Sequence, residues 1–505
     1  MANKYFLLRY ARRYLISGVV IILIGPNYWL TPDQLAIRAE EITSSDNGRL
    51  SAPSPVVSEI RRSVNKPEIS SRKHQPLPSM FFNEVSSPLW FIDEIDTEGD
   101  TGLHASVVYH SAMDAIFVSY YDATNQRLRL ARSDGKGPEA CGQDGTWGCW
   151  TLDSGADVGK FSSIALNPKT GGIGIAYHDA TNVALKYLTI PNPHLLVYQK
   201  YTIDRGIQGV STTGLYPSLK YNEDGIPFIA YYFENPSPGG ADALILAYHS
   251  SASGNCLTGD LPDEWRCETI ITGEGVGMFP SLAIVDGWEF HVAYYDRGNG
   301  DLWYATSVGE GNCGSYGTDW VCYPVTGAGS DVGKYASLFV DSSSNFHIAY
   351  YDVTNKKLMY AVKLSGAGGN CGVLGSAQCD EIDTMPADYH PLGISMVQDL
   401  DGYPMIAYQA ATGSLNLARP LAALGLPVGA GNCGPGTLFN MWFCKTMDLH
   451  GTWINYRNGD FISLSLSPSG MAQIAYNGFI TAQGGNLRVM YQRYQNHLPV
   501  VMKNH

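Results

Sequence analysis

One repeated unit dominates this sequence and restricts its possible folds. Seven copies, each marked by a serine near its start, occur between Ala105 and Tyr491. The serines are 55 to 68 residues apart and are Ser106, Ser163, Ser218, Ser281, Ser337, Ser395 and Ser463. Because such a unit cannot bury its apolar face alone, consecutive copies are expected to pack on one another.

Each copy contains three segments typical of β-strands. A Ser-Leu segment is followed by a polar turn, an apolar segment ending in Ala-Tyr or Ser-Tyr, a second turn and a segment ending near Tyr-Ala. The middle segment is almost continuously apolar, as in Phe346–Tyr351. A strand buried on both faces has this composition. Sheets sandwiched between neighbouring sheets indicate a β-propeller.

A fourth strand follows six of the copies, in segments such as Thr146–Asp153 and Met441–Asp448. No such segment follows the seventh copy, but Pro88–Asp96 precedes the first copy and is similar in composition. The sequence therefore predicts an all-β, seven-bladed β-propeller over residues 87–495, with four strands per blade. The N-terminal segment is expected to supply the outer strand of the last blade and so to close the ring.

The ten cysteines occur as five close pairs, each in the loop between the third and fourth strands of a blade. Loops of different blades lie far apart, so pairing is expected within each loop. None of the pairs has the spacing of a zinc site. The predicted disulfides are Cys141–Cys149, Cys256–Cys267, Cys313–Cys322, Cys371–Cys379 and Cys433–Cys444. Five disulfides indicate an oxidising compartment.

The two ends of the chain agree with export. Residues 1–30 combine four basic residues with the apolar run Tyr14–Gly25, the layout of a signal peptide, and an uncleaved N-terminal membrane anchor is the alternative. Residues 31–86 are rich in Ser and Pro and are interpreted as a disordered linker. Residues 496–505 form a C-terminal tail, for which surface association is a hypothesis. The predicted location is secreted or cell-surface.

Composition excludes one class of partner and gives no support for a cofactor. The formal net charge is −14, with no basic stripe to neutralise phosphates, so nucleic-acid binding is not expected. No nucleophile elbow, phosphate-binding loop or zinc-protease helix is present. No cofactor or catalytic residue is therefore predicted, and a structural cation is left open.

The candidate ligand-binding residues lie on one face of the ring. This face, the linker face, carries the connections from each outer strand to the next blade and the turns between second and third strands. Two linkers share the sequence Asp-Val-Gly-Lys (DVGK) followed by Phe or Tyr. The candidates are Asp157, Lys160, Arg205, Arg297, Asp331, Lys334, His390 and Arg457.

Two recurring residue types on this face have both structural and functional interpretations. Asp122, Asp179, Asp296 and Asp352 begin four second-to-third turns, where they would either cap the turn or form a ring of carboxylates for a cation or sugar hydroxyls. A tyrosine that recurs in all seven blades indicates packing. The three arginines among the candidates either form a carboxylate clamp or are solvated loop residues.

The sequence of the repeats is also similar to that of a known group of proteins. HIAYYDVTNKKLMYA, from His347 to Ala361, resembles repeats of exported bacterial propeller proteins that are loosely grouped with sialidase-like propellers. The resemblance covers about residues 88 to 494 and implies the fold. The sialidase pattern S-x-D-x-G-x-x-W and an early Phe-Arg-Ile-Pro motif are absent, so the resemblance does not imply sialidase activity.

Three functions are compatible with these observations. The favoured hypothesis is a non-enzymatic binding or scaffold protein at the cell surface, with a glycan or protein partner on the linker face. The first alternative is a glycan-active enzyme of sialidase-like or lyase type. The second alternative is a structural subunit of a surface assembly.

Overall fold

The computed structural model describes residues 88–494, apart from 143–144, 238, 251–253, 258–263, 315–318, 328–330, 364–365, 367, 385–392, 411–412, 434–440, 449–456 and 481–483. The side chains of residues 457–460 and 479–480 are also outside the description. The predicted signal or anchor (1–30), linker (31–86) and tail (496–505) lie outside the described residues.

The described residues form 29 β-strands and three short 3-10 helices. Strands β1 to β14 are, in order, Leu89–Asp96, Leu103–His110, Ala115–Asp122, Arg127–Arg132, Glu139–Cys141, Trp147–Asp153, Val158–Leu166, Ile173–Asp179, Ala184–Asn192, Val197–Arg205, Thr212–Tyr221, Pro227–Glu234, Asp242–His249 and Trp265–Gly273. Strands β15 to β29 are, in order, Val276–Val285, Glu289–Asp296, Asp301–Thr306, Val321–Pro324, Val332–Val340, Phe346–Asp352, Lys357–Lys363, Ala377–Thr384, Ile394–Gln398, Pro404–Gln409, Leu415–Pro420, Trp442–Asp448, Arg457–Leu466, Ala472–Ile480 and Gly484–Arg493. The 3-10 helices are Ser111–Met113, Val373–Gly375 and Leu421–Leu424.

These strands form seven antiparallel sheets, which are the seven blades. Blade 1 has the order β2-β3-β4-β6-β5, in which β5 is a short extra strand. Blades 2 to 6 each have four consecutive strands, beginning with β7, β11, β15, β19 and β23. Blade 7 has the order β1-β29-β28-β27. The all-β, seven-bladed prediction is confirmed.

The N-terminal strand completes blade 7. β1 pairs antiparallel with β29, from Leu89 opposite Arg493 to Asp96 opposite Leu487. The first and last strands of the described chain therefore belong to one sheet, and neither presents a free edge between the termini. This confirms the predicted closure.

The middle strands form the core because both of their faces are covered by neighbouring blades. All residues of β3 and of β8 are buried. Buried apolar clusters join adjacent blades, as in the set containing Phe117 and Leu130 of blade 1 with Ile175 and Tyr177 of blade 2. These clusters explain why the middle segments are apolar without alternation.

The seven repeated serines join the inner strands into a ring. Each serine accepts a hydrogen bond at Oγ from a backbone N–H of the next blade's inner strand, at 2.9 to 3.1 Å. The series runs from Ser106, which bonds Ile164 N, to Ser463, which bonds Val107 N. The N–H groups at these strand edges are thus satisfied by side chains.

All five predicted disulfides are present. They join Cys141 to Cys149, Cys256 to Cys267, Cys313 to Cys322, Cys371 to Cys379 and Cys433 to Cys444. Three of the loops also contact the preceding blade, because Gly142 N donates to Ile95 O, Leu257 N donates to Asp204 Oδ1 and Gly372 N donates to Val325 O. No helix within the described ranges is long and apolar enough to cross a membrane.

Candidate functional site

Six aromatic side chains on the inner strands contact one another on the linker side of the ring. They lie in the first half of the inner strands and are His104, Phe161, Tyr216, Phe279, Tyr335 and Phe461, here called the aromatic collar. All six are partly exposed. Rings of consecutive blades touch, with centroids 4.2 to 4.6 Å apart from Phe461 through His104 to Tyr335.

A β-bulge lies at each collar residue. In blade 2, Lys160 pairs with His178 and Ser163 pairs with Ala176, so the inner strand has one extra residue. All six collar residues have a positive φ, between 52° and 56°. Left-handed backbone is unfavourable for aromatic residues and persists where the surroundings impose it. Because the same bulge occurs in six blades, it is a feature of the repeated fold, whether or not a ligand binds there.

Blade 6 interrupts the collar with glycine. Gly393 stands two residues before Ser395, where the other blades have an aromatic residue. A Cβ at Gly393 would lie 2.7 Å from the backbone N of Ile462. The neighbouring blade therefore leaves no room for a side chain at this position, and the collar is asymmetric.

The two DVGK linkers form matching polar clusters beside the collar. Lys160 Nζ lies 2.5 Å from Asp157 Oδ2, and the Tyr121 hydroxyl donates to Asp157 Oδ1 at 2.6 Å. Burial raises the pKa of Asp157, but the bonds from Lys160 and Tyr121 outweigh it and lower the pKa overall.

In the linker between blades 4 and 5, Asp331 is bonded in the same way by Lys334 of blade 5 and Tyr295 of blade 4, at 2.7 and 2.6 Å. The four predicted site residues of the DVGK linkers thus form two ion pairs, Asp157 with Lys160 and Asp331 with Lys334. Each group is a neutralised ion pair that lies over a tyrosine ring, with Lys160 Nζ 5.5 Å from the centroid of Tyr121 and Lys334 Nζ 5.4 Å from that of Tyr295.

The predicted arginine clamp stays a prediction. Arg297 is exposed, and its Nη2 lies 3.6 Å from Asp242 Oδ2. Arg205 is exposed, and its backbone N–H donates to Asp204. No contact between these two arginines is found among the described residues. His390 and the side chain of Arg457 lie outside the described residues.

The repeated turn aspartates cap their turns, as the structural interpretation predicted. Asp122 accepts bonds from the backbone N and Nδ2 of Asn125, both at 2.9 Å. The same pair of bonds joins Asp179 to Asn182, Asp296 to Asn299 and Asp352 to Asn355. Within the described part of the chain, no group of three or more acidic, His or Cys residues could hold a metal ion.

The repeated tyrosine joins each blade to its predecessor in five of the seven interfaces. Its hydroxyl donates to an aspartate at the end of the preceding outer strand, at 2.6 to 2.8 Å. The pairs are Tyr120–Asp96, Tyr177–Asp153, Tyr231–Asp204, Tyr408–Asp383 and Tyr476–Asp448. The packing role predicted for these tyrosines thus includes a specific buried bond.

The interface between blades 3 and 4 lacks this bond. Ile271 faces Leu244 where five of the other outer strands place aspartate opposite leucine. The buried Tyr294 hydroxyl, Trp303 Nε1 and Asp301 Oδ1 have no hydrogen-bond partner within the described ranges. Asp301 lies in register with Asp296, and burial together with that carboxylate raises the pKa of Asp301 to about 6.

The collar as a whole was not predicted from the sequence. The signal was present as the pattern Gly-x-aromatic-x-Ser, which occurs in six of the seven copies, for example Gly159 to Ser163 and Gly333 to Ser337. At Gly333 φ is +113°, and a Cβ would lie 2.6 Å from Leu302 Cα of blade 4. Glycine thus lets the inner strand approach the preceding blade, and the bulge then turns the aromatic residue inward.

Comparison with known proteins gives structural similarity only. No protein-family model matches the chain, and no curated protein matches it. A protein of unknown function from Dyadobacter fermentans is 10% identical with a TM-score of 0.41, covering 82% of this chain and 100% of that chain. Polysaccharide lyase Uly1 is 11% identical with a TM-score of 0.43, covering 79% and 90%. The NanB sialidase from Streptococcus pneumoniae is 12% identical with a TM-score of 0.37, covering 78% and 69%. None of these similarities assigns a function.

Proposed function

We propose that this protein is an exported, non-enzymatic binding propeller that engages a glycan or a protein through the linker face. The observation that carries the proposal is the aromatic collar, six partly exposed rings that contact one another on the linker side of the ring. Ligand sites are commonly concave and lined by aromatic side chains with a few polar groups. The collar supplies the rings, and the neighbouring Asp–Lys pairs supply the polar groups.

The chemistry of this face favours stacking over ionic recognition. Asp157 and Asp331 are already neutralised by lysines, so they offer little free charge to a ligand. Aromatic rings present apolar faces, and tyrosine adds a hydroxyl. A sugar ring or an apolar side chain of a partner protein would lie against the collar, and the exposed Arg205 and Arg297 would contact its polar groups.

The proposed location rests on the five disulfides. Disulfides at this density persist in oxidising compartments. The signal-like residues 1–30 support secretion or surface display, with anchoring as the alternative.

Binding by the full-length protein to a glycan array and to surface proteins tests the proposal. Phe161→Leu and Tyr216→Leu keep an apolar side chain but remove the ring, and each is expected to weaken binding about tenfold. Arg297→Ala is expected to weaken it less, because the contact is solvent-exposed.

Two control variants match these changes away from the linker face. Tyr403→Leu alters an exposed tyrosine in the β23–β24 turn, and Arg266→Ala alters an exposed arginine of β14. Both should bind as the native protein does. Unchanged binding by the collar and Arg297 variants would show that the partner uses another surface.

An activity assay tests the first alternative, a glycan-active enzyme, and a measurement of molecular mass tests the second, a structural subunit. Incubation with a glycan panel should release no product, whereas turnover that is lost in Arg205→Ala or Arg297→Ala would identify a glycan-active enzyme. A stable oligomer in native extracts would identify a structural subunit instead.

A further inference from the structure

Two neighbouring loops expose apolar side chains on the face of the ring opposite the linker face. This face, here called the disulfide face, carries the loops between the third and fourth strands. The 3-10 helix Val373–Gly375 lies in the loop of blade 5, and the 3-10 helix Leu421–Leu424 begins the loop of blade 6. The exposed residues, here called the apolar patch, are Val373, Leu374, Leu424, Leu426, Val428 and Met441.

The two loops rise from one shared interface. The rings of Tyr360 in β21 of blade 5 and Trp442 in β26 of blade 6 are in contact, with centroids 5.2 Å apart. Cys433, in the loop of blade 6, belongs to the same buried cluster as these two rings. The apolar side chains of the two loops therefore lie in one sector of the disulfide face.

The apolar patch projects into the solvent. Leu374 is 89% exposed and Val428 is 67% exposed. Residues 424–430 are exposed without interruption. A Cβ added at Gly366 in the loop of blade 5, or at Gly425 in the loop of blade 6, would have no atom within 4 Å. The described parts of these loops thus form a protruding apolar surface.

The bases of both loops are fixed. Each loop is closed by a disulfide. Asn370 Nδ2 donates to Cys379 O at 2.8 Å, and its Oδ1 accepts from Cys379 N at 2.6 Å. Asn432 makes the same two bonds to Cys444, at 2.8 and 2.7 Å. A loop that is already held in place loses little conformational entropy when its side chains become buried.

Charge is absent from the sequence of both loops. Residues 364–379 and 420–444 contain no Asp, Glu, Lys, Arg or His. The corresponding loops of blades 1, 3 and 4 each contain two or more acidic residues. At the base of the blade 6 loop, Arg419 is paired with Asp399. In a chain of formal net charge −14, this sector therefore favours an uncharged, apolar occupant.

We propose that the apolar patch inserts into the surface of a lipid bilayer that has no net charge. Exposed apolar patches mark membrane or protein interaction sites. A bilayer accepts protruding side chains of any shape, whereas a folded protein partner needs a matching concave surface. The valine and leucine side chains would lie just below the headgroups. Lys363, exposed at the end of β21, would contact the lipid phosphates.

Binding of the full-length protein to phosphatidylcholine vesicles tests the proposal, with hydrogen–deuterium exchange as the local measurement. The vesicles should slow exchange of the backbone amides in residues 370–376 and 421–433, because insertion removes these loops from water. The blade 1 loop, residues 133–142, is the control and should exchange as in the free protein. Vesicle-bound protein with unprotected loops, or no binding to vesicles, would overturn the proposal.

Exposed leucines provide matched variants. Leu374→Glu and Leu426→Glu place a charge in the apolar patch, and both should fold because the side chains are exposed. Each should weaken vesicle binding by the loops about tenfold and remove the exchange protection of its own loop. Leu195→Glu, at a 71% exposed position in the blade 2 loop, is the control and should retain the protection. Retained protection in both patch variants would overturn the proposal.

The exchange measurement separates contact by these loops from any binding through residues 1–30, which all the variants share. Adding phosphatidylglycerol to the vesicles should leave the loop protection unchanged or reduce it, because the protein is acidic. Stronger protection on the anionic vesicles would contradict recognition of an uncharged surface. Loops that are protected in a purified complex with a surface protein, but not on vesicles, would identify a protein partner and overturn the proposal. Phe161→Leu in the collar should not alter the loop protection, so this proposal fails or stands independently of the proposed function.

Discussion

The hydroxyl of Tyr120 in blade 1 donates a 2.7 Å hydrogen bond to Asp96, the last residue of the N-terminal strand in blade 7. Arg129 pairs with the same carboxylate at 3.1 Å, and both side chains are buried. The strand that completes the last blade thus also supplies the buried acceptor for the first blade. Ring closure therefore depends on specific polar bonds as well as on strand pairing.

Deletion of residues 1–97 should destabilise the propeller more than deletion of residues 1–86. The longer deletion removes β1 and leaves Arg129 without Asp96 and Arg488 without Glu94. Loss of one partner from a buried ion pair costs about 3–5 kcal/mol. Calorimetric unfolding of both proteins checks this, and equal melting temperatures would show that β1 contributes little to stability.

Tyr177→Phe and Tyr294→Phe should have different effects on stability. Tyr177 donates to Asp153, so its loss should lower the free energy of unfolding by about 1–3 kcal/mol. The Tyr294 hydroxyl is buried and has no partner among the described residues, so removing it should be neutral or stabilising. Denaturant titration of the two variants measures the difference. Equal costs would contradict the role of the interblade aspartates.

Ser281→Ala should destabilise the ring of inner strands. Its Oγ accepts the N–H of Leu338 at 3.0 Å, and alanine would leave that N–H unsatisfied at a cost of about 1 kcal/mol or more. Ser342→Ala, in an exposed turn, is the control and should be close to neutral. Denaturant titration compares the two variants, and equal effects would indicate that the serine bonds add little.

His104→Phe should protect the protein against acid. Burial, together with the charges of Lys160 and His178, lowers the pKa of His104 from 6.5 to about 3. The unfolded chain therefore binds more protons than the folded protein between these values, so stability falls as the pH drops below 6.5. Phenylalanine already holds this position in three other blades.

Thermal unfolding from pH 7.5 down to pH 4 checks this prediction. The stability advantage of His104→Phe over the native protein should grow as the pH falls. His194→Phe, at an exposed position, is the control. A pH-independent difference between His104→Phe and the native protein would contradict the prediction.

Asp301→Asn should stabilise the protein at neutral and higher pH. Burial, with the neighbouring Asp296, raises the pKa of Asp301 from 3.8 to about 6. The folded protein then holds this proton more tightly than the unfolded chain, so the native contribution is greatest below pH 4 and is lost as the pH rises through 6. The benefit of Asn over Asp should therefore be present at pH 8 and absent near pH 4.

Chemical unfolding at the two pH values measures this change, with the exposed Asp286→Asn as the control. A benefit that is equal at both pH values would contradict the assignment to a raised pKa.

The repeat alone determined the number of blades, the closure by β1 and the disulfide pairs. These features depend on local periodicity and on the spacing of residues along the chain, such as the repeated serines from Ser106 to Ser463 and the paired cysteines. Cysteines in one short loop can reach only each other, so their pairing needs no long-range information. The capping of turns by Asp122 and its equivalents is local for the same reason.

Only the tertiary structure decided which side chains meet across the ring. The collar depends on a bulge and on the contact of rings from different blades, such as Phe461 with His104, which lie far apart in sequence. The lack of a tyrosine–aspartate bond between blades 3 and 4 likewise depends on Ile271 of blade 3 and Tyr294 of blade 4, which meet at one interface. A sequence displays each residue type, but the charge or space at an interface is set jointly by two blades, and their packing alone brings those residues together.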